Sequence, residues 1–471
     1  MRLLIDGYTK ETRSLAANIK YCKNLQIKVF DRSLEIDNMD LYLLQNLIKP
    51  EEETLIPNID LNKDFIKTED GKVVYTVEPV DFGNDSWIVS TTDAEEAMKW
   101  CDCYANFNEA EWQLMTTQDY DSEAKYLKET LDRLDKAKQL HKKVYLPFRW
   151  GPYAEESKYD NMFNVKIDKN RLEHMKQLAN GVYNCQSNET DVKLVLGTTS
   201  GSGKFTLCLK LKEFYETRYN ERTGIIFTEN ISDLINSDYI ENNRLDDSLI
   251  INASREWNDL HLEEWIEYVQ YAVAYLEARG CKHILLQGQG TYGIHSMNNY
   301  YIHANNPVMN VNNTILEYAI GCKSVAIAMC PGHVDMLTEY VRYFLARQIF
   351  VNDVFINSYD HEHEWKHETI DILGKKLPIS PIHRVFDIIK EINAVYSTNP
   401  LINLYTNDIN SQLLIEKSLV RDERYHTYLM KDFLDKQLNI IKNYNLRFGK
   451  EGHETFSKLL TEFANKIKEE I

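Results

Sequence analysis

The stretch that decides the fold runs Val192-Lys193-Leu194-Val195-Leu196-Gly197-Thr198-Thr199-Ser200-Gly201-Ser202-Gly203-Lys204-Phe205-Thr206. Its first part has the composition of a buried strand, its second part is a glycine-rich turn, and Leu207-Cys208-Leu209-Lys210 opens a helix. Strand, glycine turn and helix in that order are what a P-loop needs. Such a turn lets successive backbone N–H groups converge on phosphate oxygens, the helix N-terminus adds positive potential, and Lys204 can reach the β- and γ-phosphates. The strict pattern has glycine where Thr198 stands and Ser or Thr where Phe205 stands. Thr206 could supply the hydroxyl for Mg²⁺ from the next position. A flexible Gly/Ser turn opening an ordinary helix is the alternative, but the position directly after a buried strand favours phosphate. The candidate loop contacts are Gly197, Thr198, Ser200, Gly201, Ser202, Gly203, Lys204, Phe205 and Thr206.

Outward from the loop, residues 190–393 alternate short apolar strands with helices. Gly224 to Thr228, Ser248 to Ile251, His283 to Leu286, Ser324 to Met329 and Ile349 to Ile356 read as strands, and Glu263 to Arg279 as a helix. Fully apolar strands separated by helices argue a mainly parallel sheet covered on both faces. Residues 1–185 read as a separate α/β domain. Its strands are expected at Leu3 to Ile5, Leu25 to Phe30, Ser86 to Val89 and Val144 to Phe148. Its helices are expected at Ser14 to Cys22, Ala94 to Tyr104 after a Thr92-Asp93 cap, and Asp121 to Lys143. Residues 394–471 read as a helical C-terminal extension. The expected class is therefore α/β: a P-loop NTPase-like domain between an α/β N-terminal domain and a helical tail.

A chain of 471 residues that is 43% apolar can bury more than one core, and its 18 glycines and 10 prolines exclude collagen-like and long disordered readings. Acidic residues outnumber basic ones by 72 to 54, a net charge of −18 that repels nucleic acid and anionic membrane surfaces. Eight cysteines without repeating spacing fit free thiols in a reducing compartment. The opening Met1 to Arg13 lacks the apolar run of a signal peptide, and no stretch is long enough to span a membrane, so the expected location is cytoplasmic.

Gly197-Thr198 with Gly203-Lys204-Phe205-Thr206 resembles the G-T-D-x-x-x-G-K-x-T loop of a P-loop family, formerly a domain of unknown function, that includes a D-glutamate N-acetyltransferase. Leu285 to Thr291 looks like that family's strand followed by E-G-Q-G-S. Phe355-Ile356-Asn357, then Leu377 to Ser380 and Arg384, look like its L-N-T and L-P-V-T-D-P-x-R segments. The likeness covers about residues 191–390, and extends more distantly to dethiobiotin synthetase-like enzymes. It implies an ATP-type nucleotide in the loop, a phosphate-facing turn at Gly288 to Gly290, Asn357 near the base, and a role for His295 and His333. Two departures each delete a carboxylate: Thr199 replaces Asp, and Gln287 replaces Glu. The family's D-P pair is also missing, since Pro381 follows Ser380. Substitute acids stand at Glu229, Asp233, Asp238 and Asp246-Asp247, where exposed loop residues are the simpler reading.

Other signals compete. His363-Glu364-Trp365-Lys366-His367 is formally a zinc metallopeptidase string, but Lys366 sets a cation between the ligands and no third ligand follows. Cys330 reads as a buried thiol, and Tyr292, Tyr300 and Tyr301 lie in a long segment suited to a substrate lid. The leading functional reading is a transferase or ligase using ATP, or acetyl-CoA, with Mg²⁺ on Thr206. It would activate or acylate a small amino-acid or carboxylate substrate through Lys204, Gln287, His295 and His333. A nucleotide-binding regulator with little turnover is the alternative, and a zinc metallopeptidase a minor one. Expected partners are the small substrate and a second copy of the chain, with neither nucleic acid nor membrane.

Overall fold

Strands apolar on both faces need helices on both sides. The chain builds two such sheets. A computed structural model describes residues 1–7, 10–30, 65–67, 73–75, 85–91, 93–107, 120–146, 167–179, 181, 190–199, 201–234, 245–251, 259–289, 307–330, 333, 336–357, 369–372, 375–378 and 402–406. The chain divides into two compact units, residues 1–49, 57–167 and 229–259, and residues 50–56, 168–228 and 260–471.

The strands of residues 1–167 are β1 (Arg2–Asp6), β2 (Gln26–Phe30), β3 (Phe65–Lys67), β4 (Val73–Tyr75), β5 (Trp87–Thr91), β6 (Cys103–Asn106) and β7 (Lys143–Tyr145). β3 and β4 form a separate antiparallel pair. The others make an all-parallel sheet in the order β5-β2-β1-β6-β7, which reverses direction between β1 and β6. Helices α1 (Lys10–Ala17), α2 (Ala94–Trp100) and α3 (Tyr120–Gln139) accompany it. Leu4, Met98, Tyr104, Leu134 and Val144 share one core cluster. α2 starts where the cap signal puts it, with the Asp93 carboxylate accepting the Glu96 N–H at 2.8 Å. It stops at Trp100, however, and Cys103 and Tyr104, read from sequence as the end of that helix, open strand β6 (Cys103–Asn106). All four residues of β6 are buried, so the segment lacks any alternation that would mark it as a strand. At the reversal point the Asp6 carboxylate accepts both the Tyr104 hydroxyl and the Arg133 Nε–H at 2.5 Å.

The second sheet contains β8 (Asp191–Gly197), β9 (Thr223–Phe227), β10 (Ser248–Ile250), β11 (His283–Gln287), β12 (Ser324–Met329), β13 (Phe350–Ile356) and β16 (Asn403–Thr406), in the order β10-β9-β11-β8-β12-β13-β16. β14 (Thr369–Ile372) and β15 (Lys375–Pro378) pair antiparallel apart from it. From β9 to β16 every pairing is parallel. The helices are α4 (Lys169–Ala179), α5 (Lys204–Arg218), α6 (Leu262–Ala278), α7 (Pro307–Ile320) and α8 (Leu337–Leu345). The mainly parallel α/β class expected from sequence is the one observed. β16 lies in the stretch read as helical, and its pairing with β13 carries the sheet past residue 394. The rest of 394–471 lies outside the described residues. Among the described residues no helix is long and apolar enough to cross a membrane, and seven cysteines are free thiols. Burial pushes the Cys101 thiol up to about 11.

The side chains of Lys193, Tyr215, His283 and Asp353 form a polar layer under α5, near the amino ends of the strands. Lys193 Nζ donates to the Asp353 carboxylate, whose side chain is 0% exposed, and to Tyr215 Oη at 2.8 Å. Tyr215 stacks on His283 with centroids 3.9 Å apart. His283 lies 2.7 Å from Glu221 Oε2 and 3.3 Å from Asp191 Oδ2. A buried ion pair of this kind contributes little net stability but fixes register, and breaking one side is costly.

Two outcomes follow. Asp353→Ala should cost about 3–5 kcal/mol in chemical denaturation, with Lys193→Met/Asp353→Leu recovering most of it; a loss of the single variant under about 1 kcal/mol would contradict the pairing. Burial lowers the His283 pKa, but the hydrogen bonds to Asp191 and Glu221 outweigh it and leave the imidazole above its ordinary value. The stabilisation is therefore complete below the unfolded value of about 6.5 and is lost as pH rises through the higher folded value. The melting-temperature gap between wild type and His283→Gln should shrink between about pH 5.5 and pH 8.5. A gap that stays constant or widens would refute this.

Candidate functional site

β8 ends in a turn that folds back over its own strand. A Cβ on Gly197 would meet Ser202 Oγ at 2.3 Å and Lys204 Cγ at 2.9 Å, so only glycine leaves room for both side chains. Gly201 (φ 81°) and Gly203 (φ 97°) are left-handed, which turns the chain into the N-terminus of α5. The first turn of α5 holds no acidic residue to offset the positive end of the helix. Lys204, its first residue, is 3% exposed and lies back along the loop. Phe205 packs its ring on Phe227 at 5.3 Å between centroids, so it can offer the loop only its backbone N–H.

Neighbouring strand ends hold the loop. The Thr198 N–H donates to Ala328 O at 2.9 Å, and Thr198 Oγ1 accepts the Cys330 N–H at 3.2 Å and lies 3.0 Å from His333 Nδ1. His333 is buried and its imidazole secures Thr198 from the β12 end. Asn357 follows β13. Its Nδ2 donates to Gly201 O at 3.4 Å and would sit 3.2 Å from a Cβ on Gly203. On the other flank, Gly288 N–H donates to Val195 O at 2.8 Å. A Cβ there would fall 2.7 Å from Asn313 Oδ1, so the backbone after β11 also approaches closely.

Gln287 is in register with Val195 on β8. Side chains alternate along a strand, and Lys193, two residues earlier, reaches Tyr215 on α5; Gln287 therefore shares the α5 face with Val195 and Gly197. It is 0% exposed, and among the described residues neither its Nε2 nor its Oε1 has a hydrogen-bond partner. Ser202 Oγ is in the same condition. Buried polar atoms without a partner are costly; Ser202 stands in the turn itself and Gln287 at the end of the strand beside it, while Asn352 Oδ1, in the same condition, lies on β13.

The structure thus brings Gly197, Thr198, Gly201, Ser202, Gly203, Lys204 and the backbone of Phe205 and Thr206 into one loop. Gln287, Gly288, His333 and Asn357 are on or beside the strands that flank it. Ser200, Gly290, His295, Asp238, the 363–367 string and Tyr292, Tyr300 and Tyr301 lie outside the described residues, as does the side chain of Asp233. Sequence reasoning missed Asn313. This buried residue of α7 accepts the Gln289 N–H at 2.8 Å and donates to Gln289 O at 2.7 Å, which fixes the turn after Gln287. Its signal was a polar residue on the face that also buries Leu316 and Ile320.

Backbone amides, a lysine and neutral hydroxyls suit the oxygens of a phosphate group. The fit to Mg²⁺, which the P-loop resemblance implies, is poor. Thr199 and Gln287 stand where that resemblance has carboxylates, and among the described residues no three His, Cys, Asp or Glu side chains converge to hold a metal.

Gly197→Ala should destabilise the folded chain by about 1–3 kcal/mol, because the added methyl overlaps Ser202 Oγ. Adding Ser202→Ala should recover part of the loss. Denaturant titration of the three proteins checks this, and a Gly197→Ala variant as stable as wild type would mean that the loop does not cross the strand end in this way.

No protein family and no curated protein matches the sequence. Among solved structures, the chain is similar to a DUF1611 family protein from Anabaena variabilis, with 11% identity, 93% of this chain and 98% of that chain covered, and a TM-score of 0.43. It is also similar to a nucleotide-binding protein in complex with ADP from Archaeoglobus fulgidus, with 11% identity, 55% of this chain and 97% of that chain covered, and a TM-score of 0.29.

Proposed function

We propose that the loop at residues 197–206 binds the phosphate groups of a nucleotide, and that the protein is an enzyme that uses this site to activate or acylate a small amino-acid or carboxylate substrate. One observation carries the reading: Ser202 Oγ, Lys204 and the left-handed Gly201 and Gly203 converge above a Gly197 that can have no side chain, at the N-terminus of a long helix. Lys204 and the loop amides would neutralise phosphate charge, and rate would come from positioning and charge neutralisation. ATP-dependent ligation and acyl-CoA-dependent N-acylation both fit, because coenzyme A also carries a phosphate-rich nucleotide end.

A second reading, a nucleotide-binding regulator with little turnover, is favoured by Gln287. Its amide gives and accepts hydrogen bonds but cannot serve as a base. Product formation with amino-acid substrates separates the two.

Isothermal titration of the full chain with ATP, GTP and acetyl-CoA tests the shared step. At least one should bind saturably, and Lys204→Ala should weaken it by about tenfold to a hundredfold, the worth of a charged hydrogen bond of about 1.5–3 kcal/mol. Full affinity in Lys204→Ala would overturn the loop assignment.

A further inference from the structure

We propose that this loop takes its nucleotide as the free anion, without a divalent cation, and that Gln287 is a neutral hydrogen-bonding contact in the space where a metal-dependent site would keep a carboxylate. The inference rests on the nucleotide reading above and goes beyond it by naming the ionic form of the ligand.

Three observations support it. First, the strand next to the phosphate loop ends in an amide. Gln287 is in register with Val195, faces α5, and is entirely buried with both polar atoms unpartnered among the described residues. A side chain in that condition lacks both a donor and an acceptor for its own needs, and a hydrated phosphate group supplies both: oxygens accept from Nε2, and a bound water or a phosphate hydroxyl donates to Oε1. Second, Ser202 Oγ, on the same face directly above Gly197, is an equally orphaned neutral donor. Third, the positive side of the site is built from Lys204 and the uncompensated N-terminus of α5. With no carboxylate at 287 to repel the phosphates, the cation that would bridge carboxylate and phosphate has nothing to neutralise on the protein side.

The chemistry distinguishes the two kinds of site. A carboxylate beside a polyphosphate is tolerable only when a dication lies between them. An amide in that place is indifferent to the dication and binds the phosphate directly. Gln287→Glu should therefore convert the protein from one kind to the other.

The experiment is calorimetric titration of the full chain with ADP and with β,γ-imido-ATP, in EDTA and in excess MgCl₂, for wild type, Gln287→Glu, Gln287→Leu and Lys204→Ala. Wild type should bind in EDTA within about threefold of its affinity in MgCl₂. Gln287→Glu should lose about tenfold or more in EDTA and regain it in MgCl₂. Gln287→Leu, which removes the amide while keeping an apolar side chain of similar size, should lose about tenfold in both media, and its ligand-free form should melt higher than wild type because a buried unpaired amide has gone. If Gln287→Glu fails to fold, the wild-type and Gln287→Leu titrations decide. Wild-type affinity that falls tenfold or more in EDTA, with Lys204→Ala still weakening binding in MgCl₂ by about tenfold or more, would leave the nucleotide reading standing and overturn this proposal. So would a Gln287→Leu variant that binds as wild type does. Absence of binding in both media, or indifference to Lys204→Ala, would sink the nucleotide reading and this proposal with it.

Discussion

Everything at the candidate site depends on one close approach, the crossing of the turn at residues 198–203 over the end of β8 at Gly197. The space that a methyl group would fill is taken by a serine hydroxyl and a lysine stem. Because the turn lies this close to its strand, α5 starts directly over the sheet, and its N–H groups open toward the carboxyl edge, where parallel sheets keep their ligands. Gly203 is constrained in the same way from the side, against the ring of Phe355. Each contact packs a side chain against a glycine that has none, and so holds the described part of the turn close to its strand end.

The opposite ends of the same strands hold the register that makes this work. Lys193 and Asp353 reach across β12, Tyr215 ties them to α5, and His283 stacks against that tyrosine. A slip of one residue in any of these strands would move a charged side chain to the wrong face and Gln287 away from the loop with it. Structural polarity and candidate chemistry thus sit on one face of one sheet, with Gln287, Val195 and Asp353 in one row across the strands and Lys193 one pleat earlier. Lys193, Tyr215, His283 and Asp353 have partners, whereas, among the described residues, Ser202 Oγ and both polar atoms of Gln287 have none.

Much of this was legible in the sequence because it is local. The strand, the glycine turn and the lysine that opens a helix are contiguous, and their order alone specifies the geometry from Val192 to Lys204. The alternation of apolar strands with helices was enough for the class. Features that depend on distant pairing were not legible. Cys103–Asn106 follows a helix with only two intervening residues and is buried on both faces, so no period separates it from the helix before it. Asn403–Thr406 becomes a strand only because the edge of β13 is there to receive it. Asn313 reads as one polar residue in a helix until the turn at Gly288 and Gln289 is placed against it. His333 stands 135 residues from Thr198 in the chain, so no local pattern shows that its Nδ1 lies 3.0 Å from the Thr198 hydroxyl. The loss of a carboxylate at Gln287 could be read from the resemblance, but the burial of the amide without a partner required coordinates.

A crystal structure of the full chain grown with ADP tests the central claim most directly. The account predicts the diphosphate within hydrogen-bonding distance of the backbone N–H groups of residues 201–206 and of Lys204 Nζ. Density for the nucleotide elsewhere, with those N–H groups turned toward protein or solvent, would contradict it.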